Sequence, residues 1–183
     1  MRSAKPYAPL ALCVCALVFS AARASQPGAA AVAPCDAEAY VIDQDPAGTN
    51  VRAAPGKTSK VIGNLPNETN GGIVVHISGA SGGWVRIDRA VEVGGDEEIV
   101  RFKGAGWVYG PLLGVDGVGW VEGGTKLHAQ PSAGSKVLAR MKVDVGGAKV
   151  LGCRGKWLQV EHKGVRGWAT TDTLCSNPLT NCS

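Results

Sequence analysis

The sequence predicts an all-β protein made of two small barrels in tandem, and three observations carry that prediction. The first is an internal duplication: Thr49 to Ile62 aligns without a gap on Thr125 to Leu138. Each copy then runs through an apolar stretch to a tryptophan that opens an alternating segment (Trp84, Trp157). A Gly-Trp pair follows (Gly106-Trp107, Gly167-Trp168), and six residues later a leucine (Leu113, Leu174). Ordered landmarks at matched spacings mark a repeated structural unit. The second observation is that no stretch of a dozen residues keeps apolar positions three and four apart, the period of a helix. The third is punctuation: 26 glycines separate short β-branched runs, the pattern of small barrels rather than of helical folds.

Taken in order, the first copy predicts strands at Ala37–Ile42, Lys60–Leu65, Gly72–Ile77, Trp84–Val93 and Ile99–Val108, with a terminal piece near Leu112. The second predicts Gly119–Val121, Val137–Met141, Ala148–Cys153, Lys156–Glu161, Val165–Ala169 and Thr173–Leu174. The first unit is thus expected over 35–115 and the second over 117–174, with Gly114 to Gly119 as the only linker space and 175–183 as a tail. Alternation sets the facing of the tryptophan strands. In Trp84-Val85-Arg86-Ile87-Asp88 the aliphatics share one face, leaving Trp84, Arg86 and Asp88 on the other. Trp157-Leu158-Gln159-Val160-Glu161 repeats the arrangement. If the aliphatics form the core, both indoles start their strands on the outer face; Trp107 and Trp168 are placed nearer the core.

Residues 1–24 have the features of an export signal. Arg2 and Lys5 give a basic start, Pro9 to Ala22 is largely apolar, and Ala22-Arg23-Ala24 is a small-x-small cleavage pattern that leaves Ser25 first. The apolar stretch is too short for a membrane span. Residues 25–34 read as a flexible, small-residue leader. Removing the signal takes Arg2, Lys5 and Arg23 with it, so the formal charge falls from +4 to +1. Nucleic acid and anionic membrane thereby lose their compositional support as partners. Cys35, Cys153, Cys175 and Cys182 remain after cleavage, an even number in an exported chain, and four cysteines allow three disulfide pairings. The expected pairing is Cys153 with Cys175, stapling the second copy, and Cys35 with Cys182, tying the ends. No C-x-x-C or Cys/His metal spacing occurs, so neither metal nor cofactor is expected.

The landmarks of the first copy carry a resemblance. Asn50-Val51-Arg52 followed by a small residue and Pro55, then Ser59-Lys60-Val61-Ile62, Gly83-Trp84-Val85-Arg86-Ile87 and Gly106-Trp107-Val108, resemble the bacterial Src-homology-3-like (SH3b) family. The second copy is a weaker member, with Lys126-Leu127-His128 where the first has Asn-Val-Arg. The resemblance implies half-open barrels of five or six strands, an exported or cell-envelope setting, and binding of cell-wall peptides with no catalytic residue. It also implies a shallow cleft between the loop Asp43–Pro55 and the loop Ser78–Gly83. Asp45, Asn50, Trp84 and Tyr109 are the residues expected to line it. Arg52 is expected to be pinned by Asp43 or Asp45, a role His128 lacks the permanent charge to fill.

The first copy carries an insertion over about 90–100, since its two tryptophans stand 23 positions apart against 11 in the second. Gly94-Gly95 predicts a hairpin turn there, with Glu92, Asp96, Glu97 and Glu98 at its tip. Gly79-Ala80-Ser81-Gly82-Gly83 matches the pattern of a serine nucleophile, but that motif needs a helix after the turn and the sequence supplies a strand. His76, His128 and His162 are scattered, without an acidic partner at any repeated spacing. The expectation is a non-enzymatic, exported (periplasmic or extracellular) module that binds a cell-wall peptide. The alternative is an interaction module that binds an envelope protein through the insertion hairpin.

Overall fold

The computed structural model describes Met1, residues 31–67, 71–143, 147–180 and Cys182. The expected signal peptide, apart from Met1, and residues 25–30 of the leader lie outside them. The described chain is all-β, with one-turn 3-10 helices at Gly110–Leu112 and Thr171–Thr173. The first seven strands are β1 (Ala33–Val41), β2 (Thr49–Arg52), β3 (Val61–Leu65), β4 (Ile73–Ser81), β5 (Trp84–Glu92), β6 (Ile99–Tyr109) and β7 (Leu113–Gly117). The remaining six are β8 (Thr125–His128), β9 (Val137–Met141), β10 (Ala148–Arg154), β11 (Trp157–His162), β12 (Val165–Thr170) and β13 (Leu174–Cys175).

The strands join into one open sheet in the order β3-β2-β6-β5-β4-β1-β7-β10-β11-β12-β8-β9, with β13 also on β7. Read outward from its centre, this is one topology used twice. In the first half β1 pairs with β4, and its end meets β7 through Tyr40–Gly114 and Val41–Leu113. In the second half β7 pairs with β10, and its end meets β13 through Cys175–Asp116 and Leu174–Gly117. Strand β7 therefore closes the first copy and opens the second. The stretch expected to be a linker is mostly this strand, because its backbone groups must be paired where it runs through the interior. One apolar core spans both halves, with Leu113 and Val115 of β7 fully buried in it.

Local patterning holds where strands are half-buried. Val85 and Ile87 are fully buried while Trp84, Arg86 and Asp88 are not, and β11 repeats this with Leu158 and Val160 inside. Trp107 is buried and Trp168 half-buried. The Gly-Trp pair has a steric cause. A β-carbon on Gly167 would lie 2.8 Å from the Leu127 β-carbon, and one on Gly106 would collide with the equivalent Val51 side chain. Only glycine lets β6 and β12 cross so close to β2 and β8.

Several expectations are corrected. Gly119–Val121 is a turn, not a strand, and the short strands β2 and β8 lie inside the repeated motif itself. Ala33 and Pro34, expected in the flexible leader, begin β1. The disulfides are Cys35–Cys153 and Cys175–Cys182, with Cα atoms 5.8 and 5.7 Å apart, rather than the expected pairs. The start of β1 runs beside the β10–β11 turn, where Asp36 N–H donates to the Gly155 carbonyl and Gly155 N–H to that of Pro34. That contact carries Cys35 across to Cys153. The tail closes on itself through Cys175–Cys182 and packs back on the first half, with Ser176 Oγ donating to Glu38 Oε2 at 3.1 Å and Pro178 lying against Gly72.

Candidate binding cleft

The four residues expected at the cleft are brought together. Asp45, Asn50, Trp84 and Tyr109 line one open cavity of about 310 Å³. Trp84 and Tyr109 begin β5 and end β6, where they stand directly opposite each other. Their ring centroids are 5.4 Å apart at 54°, the spacing of a favourable tilted aromatic pair. The indole is half-buried and the phenol 38% exposed, so both rings keep a face toward solvent.

The loop that supplies the polar wall is fixed by its own side chains. Asp43 accepts from Thr49 Oγ1 at 2.8 Å and from Asp45 N–H at 3.1 Å, and Asp45 Oδ1 accepts from Ala47 N–H at 2.9 Å. Asn67 donates to the Asp45 carbonyl. These aspartate bonds to backbone and to Thr49 hold the turn, with no cationic side chain among the described residues bonded to Asp43 or Asp45. Asp45 Oδ2 and the Asn50 amide make no hydrogen bond to described residues, and both residues line the cavity.

Arg52 is not pinned by Asp43 or Asp45. Its Nη1 donates to the Ser59 carbonyl at 2.7 Å, closing the turn after β2. The second copy keeps that turn with a different residue: His128 Nδ1 lies 3.2 Å from the Ser135 carbonyl. The backbone bonds around it are matched as well, Ala53 N–H to Lys60 and Ala129 N–H to Lys136. What the position requires is a donor, not a charge, so histidine substitutes as the Nδ1–H tautomer.

Arg52, within the loop expected to flank the cleft, also lines it, and Lys57 and Leu112, the latter from the 3-10 turn, do so unexpectedly. The loop Ser78–Gly83 does not form the opposite wall. Its residues through Ser81 belong to β4, and Gly82–Gly83 turn toward a neighbouring cavity. Ser81 leads through that turn into β5, a strand–turn–strand geometry without the helix a nucleophile elbow needs.

The second copy does not repeat the cleft. Threonine 170 stands opposite Trp157 where the first copy has Tyr109. The indole instead meets the buried His128 edge-on at 5.5 Å. Positions equivalent to Asp45 and Asn50 hold Val121 and Lys126. The insertion hairpin forms as expected, but two of its four acids are neutralised: Arg101 Nε holds Glu92 at 2.8 Å, and Arg89 pairs with Glu98.

A second polar cluster joins β1, β4 and β5. His76 on β4 sits between Asp88 Oδ1, 2.7 Å from Nδ1, and Asp36 Oδ1, 3.1 Å from Nε2. Their separations of 12 and 40 residues explain why no sequence spacing revealed them. Partial burial disfavours the imidazolium, but hydrogen bonds to the two carboxylates and their charges outweigh it and raise the pKa above the ordinary value. A raised folded-state value stabilises the fold fully below the unfolded pKa of about 6.5, and the gain is lost as pH rises through the folded value. The difference in melting temperature between wild type and His76→Asn should therefore shrink as pH rises from about 6.5 into the mildly alkaline range. With the ring 36% exposed, screening keeps the effect under about 1 kcal/mol. A difference that stays flat across that range would contradict the assignment.

Residues 123–174, which hold the second copy, match the family model described as the bacterial SH3 domain. The matched copy is thus the one whose Asn-Val-Arg motif is altered. Among solved structures the chain is similar to NlpC1 from Trichomonas vaginalis, at 12% identity and a TM-score of 0.28 over 80% of this chain. It is also similar to NlpC2 from the same organism, at 14% identity and a TM-score of 0.26 over 76%. The chain spans about half the length of each, 48% and 47%. No curated protein matches it.

Proposed function

We propose that this chain is an exported, non-enzymatic binding module of the bacterial cell envelope that takes an extended wall peptide in the Trp84–Tyr109 cleft. The first copy then serves as the ligand-carrying SH3b domain of a tandem pair, while the matched copy buttresses it. The observation behind this is the convergence of Asp45, Asn50, Trp84 and Tyr109 on one cavity, held by paired strands and a self-bonded loop. The two rings offer an apolar floor that excludes water, and the open Asp45 oxygen and the Asn50 amide can take peptide amides or an amine. The bacterial SH3 match supports an envelope setting. The two disulfides agree with an oxidising compartment.

Trp84→Ala removes the larger ring of the floor, and loss of a central aromatic anchor costs at least about tenfold in affinity. Purified wild type and variant would be compared for retention on isolated peptidoglycan. Equal retention of the two proteins would rule out the cleft.

A further inference from the structure

Tyr109 has two sides. One closes the cleft with Trp84; the other lines a second cavity of about 440 Å³, roofed by Gly83 and Pro111 and floored by strands of the second copy. The two copies approach closely here. Gly110 N–H donates to the Gly83 carbonyl at 2.9 Å, and a β-carbon on Gly110 would lie 2.7 Å from the Val150 carbonyl oxygen. Glycine at this position lets the 3-10 turn lie directly on β10, and Tyr109 is the lining residue that the two cavities share.

The floor presents a row of charge across three strands. Lys149 on β10 stands opposite Glu161 on β11, which stands opposite Arg166 on β12. Arg166 Nε takes Glu161 Oε2 at 2.7 Å. Lys149 is exposed and has no ion pair among the described residues, so the row keeps one uncommitted ammonium beside a neutralised pair. Gln159 adds an amide and Leu151 an apolar surface.

We infer that the two cavities form one composite groove, and that the β10–β12 floor receives a carboxylate-bearing arm of the peptide whose other arm lies on Trp84. This rests on the cleft assignment above and assigns the second copy a direct part in binding. Alone, the first cavity is at the low end of the ~300–1,000 Å³ of ligand sites; the two together reach the middle. An exposed ammonium facing a carboxylate contributes modestly, about threefold in affinity at low ionic strength, and less as salt screens it.

The test uses the full protein and two synthetic stem tetrapeptides, alike except that one ends in a free carboxylate and the other in a carboxamide. Titration calorimetry on wild type should give about a threefold preference for the free acid. Lys149→Gln should bring the ratio of the two affinities to about one. Added salt should have the same effect on wild type. No preference, or one that survives both Lys149→Gln and salt, overturns the composite groove while Trp84→Ala still abolishes binding of both peptides. If Trp84→Ala changes neither affinity, the cleft itself fails and the groove with it.

Discussion

Replacing Cys35 and Cys153 together by alanine is expected to cost about 5 kcal/mol of unfolding free energy. The bond joins residues 118 positions apart. It therefore closes most of the described chain into a loop, and the entropy it removes from the unfolded state grows with loop length. The Cys175–Cys182 bond spans only 7 positions, and on the same reasoning its removal costs about 2.5 kcal/mol. The ratio is the informative quantity, because the compartment and the chemistry are shared. Urea unfolding of the two double variants, read by tryptophan fluorescence, would measure it. Equal losses would mean that strain or local packing, not loop closure, sets the contribution of each bond.

Leu113→Ala should destabilise the protein by about 3 kcal/mol and loosen both copies at once. The residue is fully buried, and removing its three outer carbons leaves a cavity that the surrounding strands only partly collapse. Its position makes the second half of the prediction. Leu113 lies on β7, which pairs with β1 on one side and β10 on the other. Hydrogen exchange should then show protection falling in the β2–β3 and β8–β9 hairpins alike, whereas Leu158→Ala, at an equally buried site within the second copy, should act chiefly on β8–β9. Loss of protection confined to β2–β3 in Leu113→Ala would mean that β7 belongs to the first copy alone.

Much of the candidate cleft could be read before folding. Asp45, Asn50, Trp84 and Tyr109 were expected there from the SH3b resemblance, and the facing of Trp84 also from alternation, because a two-residue period fixes which side of a strand each side chain takes. Arg52 and Lys57 could also be placed near the loop, but not their roles. The Arg52 side chain bonds a carbonyl seven residues on, and nothing in the motif distinguishes that from an ion pair with Asp43. Histidine 128 shows the same limit: the sequence records a lost charge, while the turn it closes needs only a donor at Nδ1.

What the sequence by itself determined is local and periodic: the duplication, the all-β class, the facing of Trp84 against Val85 and Ile87, and the glycines before Trp107 and Trp168. All are visible in the order of residues alone, although the need for the two glycines comes from the approach of Val51 and Leu127 in the folded sheet. The sharing of β7, the Cys35–Cys153 and Cys175–Cys182 pairing, the His76–Asp36 contact and the meeting of Tyr109 with Lys149 in one groove were decided only by tertiary structure. Strand partnership across tens of residues depends on which edges meet when the apolar faces of both copies are buried together, and no local pattern encodes that choice.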